Sequence, residues 1–163
     1  MVESTLATLF VGVVLTASLS AVSASWMTQS RVADQARAQQ IADAMLTEIL
    51  DRPYEDTLGA TPIGLDGTET LTARATLNDV DDYDSFDDSP PTEMDGTPIP
   101  GYTGWSRQVR VEYIEPNNLN QLSATDKGIK RITVTVRHLG GRVAEAHALR
   151  TRAWGGLGFV EPW

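Results

Sequence analysis

The sequence predicts an α+β chain. A long N-terminal α-helix, transmembrane in its first half, packs its second half on a C-terminal antiparallel β-sheet. Three observations carry this. Between Glu3 and Arg31 no residue is charged. From Trp26 to Leu50 neither proline nor glycine interrupts the chain. After Ser106 the residues alternate polar and apolar in three runs, the pattern of half-buried strands.

The apolar segment comes first. Residues 6–27 hold no charge and no proline, and as a helix they would span roughly 33 Å, close to the thickness of a bilayer core. A membrane-inserting helix, a cleaved secretory signal ending near Ala24, and a buried core helix all fit such a run. A secretory signal opens on Lys or Arg, whereas this segment opens on Glu3. An acid at the mouth of an uncharged segment is costly in lipid unless it finds a partner.

The helix is expected to continue. Ala38, Ile41, Ala42, Met45, Leu46 and Ile49 recur in three- and four-residue steps, one apolar stripe. Arg37, Gln40, Asp43, Thr47 and Asp51 occupy the opposite face. Arg52-Pro53 ends the run, because the residue before proline resists the α region. The chain thus divides into an apolar helix over 1–28, its amphipathic continuation over 29–52, an acidic irregular region over 53–106, a sheet over 107–155 and a tail over 156–163. In the irregular region, residues 70–77 alternate weakly and read as a strand, and residues 78–91 have loop chemistry. The sheet is expected from strands over 107–115, 130–138 and 142–153. The last two are joined at Leu139-Gly140-Gly141 as a hairpin. Trp105 and Trp154 are expected in the core.

Charge and composition narrow the function. The net charge is -9, which argues against a nucleic-acid partner, since phosphate binding needs a basic face. It is unevenly spread: residues 61–106 hold ten acids and one base, Arg74, whereas residues 107–163 are net basic. There is no cysteine, so disulfides and thiolate metal sites are excluded. No nucleophile elbow, phosphate-binding loop or dinucleotide fingerprint occurs, so no enzyme activity is expected. His138 and His147 make a poor zinc site, because three protein ligands are the usual minimum. The crowded acids of residues 79–95 suit a hard cation such as calcium, which takes six to eight oxygens. Asp81, Asp82 and Asp84 are the candidate ligands, although EF-hand spacing fails at Pro90. A solvated acidic loop is the alternative.

Three segments resemble the type IV pilin family, which includes the pseudopilins of type II secretion. Met1-Val2-Glu3-Ser4-Thr5-Leu6 is similar to the second half of the family's N-terminal motif, with Glu3 in the place of its acid. Residues 39–56, from Gln39 through Ile41, Met45, Leu50 and Pro53 to Asp56, resemble the helix end of minor pilins and minor pseudopilins. Asp79-Val80-Asp81-Asp82-Tyr83 resembles a segment of minor pilins of the MSHA type. The resemblance implies a pilin-like fold and a non-enzymatic subunit of a type IV pilus or a secretion pseudopilus. It would be held in the bacterial inner membrane by a single pass, with its C-terminal domain in the periplasm or in an extracellular filament. Implied partners are other pilin or pseudopilin subunits, the inner-membrane assembly platform, the lipid bilayer and the prepilin peptidase, with N-terminal methylation. Glu3 would be the subunit-assembly residue, meeting a neighbour's N-terminal amine; the alternative is an interfacial acid near the lipid headgroups. Some pseudopilins also bind calcium in their loop region. The chain departs from the pattern in lacking a basic leader and a Gly before the cleavage point, and its acid is third rather than fifth. A piece upstream of Met1 is therefore expected. The alternatives are a single-pass, membrane-anchored periplasmic binding module using the acidic loop, and a secreted soluble domain freed by signal removal.

Overall fold

The computed structural model describes residues 2–56, 62–67 and 69–153. The chain divides into two units, Met1–Arg37 and Ala38–Trp163, and one helix, α1 (Val2–Leu50), runs through both.

In the first unit the large apolar side chains, among them Leu9, Phe10, Val14, Leu19 and Trp26, are exposed. The helix is long and apolar enough to cross a membrane. The reading of this stretch as a buried core helix is not what the structure shows, for none of its most apolar window is buried. Its hydroxyls are turned inward on the helix itself. Thr16 donates to the carbonyl of Gly12 at 3.0 Å, Ser18 to Val14 at 2.8 Å, Ser20 to Thr16 at 2.9 Å and Ser23 to Leu19 at 3.0 Å. Such bonds satisfy polar groups within the segment, which is the condition for residing in hydrocarbon.

In the second unit the amphipathic part of α1 behaves as its periodicity requires. All six residues of the stripe, from Ala38 to Ile49, are buried, and the opposite face is exposed. Ala38 and Ala42 carry little bulk, so the helix backbone can lie close to the sheet. The helix closes with Asp51 N–H bonding Thr47 O and Arg52 N–H bonding Ile49 O, both at 3.1 Å, and Pro53 follows.

The sheet is antiparallel throughout: β1 (Asp87–Asp88), β2 (Trp105–Glu115), β3 (Asn118–Leu122), β4 (Ile129–His138) and β5 (Gly141–Thr151). The order is β1-β2-β4-β5, and β3 pairs the far end of β2. The alternation expected for β2, β4 and β5 is present, and each strand lies within a residue or two of its predicted limits. Trp105, Val109 and Val111 of β2 face the helix with Ile132, Val134 and Val136 of β4 and Ala144 and Ala146 of β5. Leu139, at φ 50°, and Gly140, at φ 81°, make the hairpin turn. Trp105 is buried, as expected, and stacks on His138 with ring centroids 4.3 Å apart. Trp154 lies outside the described residues.

Two expectations fail. Residues 70–77 form no strand; they make a turn and a 3₁₀ helix, Arg74–Thr76. Arg74 is buried there by ion pairing rather than displayed on a strand face. The acidic segment is not a solvated loop either, since Asp79, Asp81, Asp82 and Asp88 are buried.

The period-2 alternation also places two cations on the inner face, Arg107 in β2 and Lys130 in β4. Lys130 is fully buried and donates to Asp81 Oδ2 at 2.7 Å and to the Tyr54 carbonyl at 2.5 Å. Removing one partner of a buried pair leaves an uncompensated charge. Lys130→Met is expected to destabilise the domain by about 3–5 kcal/mol, and adding Asp81→Leu to recover most of that loss. Urea unfolding of the full chain in detergent micelles checks both; an unchanged single variant would remove Lys130 from this role.

Candidate functional site

Glu3 lies in the first turn of α1, where a carboxylate favours the helix dipole, and its side chain is exposed. It is the only charge before Arg31, so the structure leaves it at the end of an apolar surface.

The acids between Asp79 and Asp88 are distributed among different partners. Asp79 and Asp82 form a reciprocal box. Asp79 Oδ1 accepts from the amides of Asp81 at 2.6 Å and Asp82 at 3.3 Å, and Asp82 Oδ2 accepts from Asn78 N–H at 2.7 Å and Asp79 N–H at 3.0 Å. This is the logic of a capping box, and it sets up the 3₁₀ helix Asp81–Tyr83. Asp81 faces Lys130. Burial pushes the Asp81 carboxyl up to about 6, against the opposing pull of the Lys130 ammonium. Asp84 Oδ1 accepts from the Val111 amide at 2.9 Å, a β2 donor beyond the reach of the two-residue β1.

Asp88 anchors a second buried network. Arg107 grips it with Nε at 3.1 Å and Nη2 at 2.5 Å, and Thr92 donates to it from its amide and hydroxyl. Arg74 lies 3.8 Å from Asp88 and 3.0 Å from Glu48, which also accepts from the Tyr83 hydroxyl. Two arginines and two carboxylates thereby tie α1 to the acidic segment and to β2. Sequence reasoning missed this network. The available signal was the parity of Arg107 within its strand.

Asp81, Asp82 and Asp84 are therefore committed separately. The group of carboxylates that the structure gathers among the described residues is Asp66, Glu69 and Asp82, with oxygens all within 4.8 Å of one another. Asn78 Nδ2 donates to Glu69 Oε1, and the Asp66 amide to Glu69 Oε2 at 3.1 Å. These residues could contribute three oxygens to a hard cation, about half of what calcium takes. Loss of hydration and then the neighbouring Asp82 push the Glu69 carboxyl up to about 7, although the Asp66 amide pulls the other way. His138 and His147 pair with Gly141 and Thr133 respectively, and their environments differ. His138 stacks on Trp105, while His147 lies 3.0 Å from Glu145 and 3.1 Å from Thr133 Oγ1.

No known family model matches the chain. Comparison with curated proteins and with solved structures gives no match either.

A pH dependence follows from Glu69. Its carboxyl is raised from 4.5 to about 7 in the fold, so the folded state holds the proton more tightly than the unfolded one. Its contribution is complete below 4.5 and is lost as pH rises through about 7. Thermal melts between pH 4.5 and 8 should show stability falling across this window. Glu69→Gln, which mimics the protonated form, should reduce that fall and leave the part owed to Asp81, whose carboxyl is raised to about 6; an unaltered slope would exclude Glu69 as a source.

Proposed function

We propose that the chain is a non-enzymatic minor pilin or pseudopilin subunit, held in the bacterial inner membrane by the first half of α1 and assembling through it into a type IV pilus or secretion pseudopilus. The observation that carries this reading is α1 itself. One unbroken helix of 49 residues begins as an internally satisfied apolar rod headed by a single acid. It ends as the spine of a sheet domain. The likeness of residues 1–6, 39–56 and 79–83 to pilin segments supports the same reading.

The mechanism is a change of solvent. In the bilayer the apolar side chains of residues 6–27 are surrounded by lipid, and the helix has no unsatisfied backbone groups to expose. In a filament the same surface packs against neighbouring helices. The carboxylate of Glu3 then meets a neighbour's N-terminal amine. A buried pair of this kind fixes axial register without adding net stability. The assembly platform would extract the subunit, the prepilin peptidase would generate the amine, and the C-terminal domain would stand in the periplasm or on the filament.

Glu3→Ala should stay in the membrane fraction and fail to enter filaments. Cell fractionation together with immunoblotting of sheared filaments reads both. Incorporation at the wild-type level would sink the assembly role.

A second reading, a membrane-anchored binding module, draws on the carboxylates of Asp66, Glu69 and Asp82. Under that reading Glu3 is dispensable, and calcium raises the melting temperature of the full chain but not that of Asp66→Asn.

A further inference from the structure

Assembly through α1 leaves the outer face of the sheet unused. Because Val109, Val111, Ile132, Val134 and Val136 point into the core, alternation puts Gln108, Arg110, Thr133, Thr135 and Arg137 on the other side. Together with Ser85 they line a trough of about 500 Å³, within the usual range for small-molecule sites.

Its acids are already engaged, and so is the Thr133 hydroxyl, 3.1 Å from His147 Nδ1, but several of its other donors are not. Asp84 Oδ1 accepts from the Val111 amide at 2.9 Å and Oδ2 from the Ser85 hydroxyl at 3.1 Å. Glu145 is held by Arg142 at 2.5 Å and by His147 at 3.0 Å. Among the described residues, no hydrogen bond or ion pair engages the side chains of Arg137, Gln108 or Thr135. Arg110 uses Nε on Glu112 at 3.2 Å and keeps its remaining donors. The register sharpens the imbalance. Arg137 stands opposite Arg142 at the point where the β4–β5 pairing shifts, and like charges directly opposite are unfavourable. Glu145 pairs with Arg142 and Glu112 with Arg110, whereas Arg137 has no acid paired with it among the described residues; Asp84, held by neutral donors, keeps its charge in the same trough.

We propose that this trough binds an acidic saccharide, with its carboxylate on Arg137 and Arg110 and its hydroxyls on Gln108 and Thr135. Unspent donors on a guanidinium without a paired carboxylate suit an acceptor-rich ligand that brings its own carboxylate. No aromatic ring lines the trough, so recognition is by hydrogen bonds and charge rather than by stacking. The face of a sheet offers no free backbone ladder, so an extended acidic peptide cannot be held there by strand addition.

The test is a titration of the isotope-labelled full chain in detergent micelles, followed by amide chemical shifts. The probes are a glucuronate-containing disaccharide, its methyl ester and tetraglutamate. The disaccharide should give saturable shifts at residues 108–110 and 133–137. The ester should bind about tenfold more weakly, and Arg137→Gln should weaken the disaccharide to a similar degree, as loss of one charge-assisted hydrogen bond implies. Glu3→Ala should leave the binding unchanged, which separates this site from the assembly reading. Equal binding of the ester, equal binding by Arg137→Gln at an unchanged melting temperature, or no saturable shift would each overturn the proposal. Stronger binding of tetraglutamate would overturn it in favour of a protein contact.

Discussion

The buried ammonium of Lys130 is the interaction on which the domain depends. Strand alternation gives it no choice of side. With Ile132, Val134 and Val136 committed to the core, Lys130 must face inward too. A lone cation there would cost several kcal/mol in lost hydration. The chain answers with Asp81, with the carbonyl of Tyr54, and with the Tyr54 ring 3.8 Å from Nζ. The two residues that supply these partners come from different parts of the fold. Tyr54 follows the end of α1, and Asp81 belongs to the acidic segment. One charge thus locates the helix end, the segment and β4 together. Arg107 repeats the device one strand away, through Asp88, Thr92, Arg74 and Glu48.

These pairings explain what could be read in the sequence and what could not. The stripe from Ala38 to Ile49 was legible because its pattern is local, repeating every turn. The β4–β5 hairpin was legible for the same reason, with alternation on both sides of a glycine turn. The acidic segment was not. Composition alone counts Asp79, Asp81, Asp82 and Asp88 as solvated charges. Their partners lie far along the chain, Lys130 for Asp81 and Arg107 for Asp88, or in the backbone of the segment itself. Arg74 was misread on similar grounds, since its weak alternating context concealed contacts with Glu48 and Asp88. β1 has two residues and β3 is wholly exposed, so neither carried a periodic signal.

The candidate cation ligands show the same limit. Proximity in sequence suggested Asp81, Asp82 and Asp84. Three-dimensional proximity joins Asp82 to Asp66 and Glu69 instead. The difference arises because the Asp79–Asp82 box turns the chain within one 3₁₀ helix, which sends neighbouring carboxylates to different elements. Asp84 then supplies an acceptor to β2 where β1 has none to give. Carboxylates that look like a ligand run are thus mostly structural acceptors, standing in for backbone and for buried counter-charge.

Along α1 a single helix is written in two patterns for two surroundings. From Leu6 to Met27 the apolar residues occupy every face, and the hydroxyls of Thr16, Ser18, Ser20 and Ser23 return to the backbone. From Ala38 to Ile49 they occupy one face, because the other meets water. A helix serving only the sheet would need only the second pattern. A plain anchor would need only the first, and would gain from an acid in its first turn only the modest interaction with the helix dipole. Glu3 is the residue that neither the sheet nor the hydrocarbon requires. Its carboxylate requires a cationic partner once the surrounding surface is buried, and among the described residues of this chain none supplies it. In the proposed assembly a second molecule would meet that requirement.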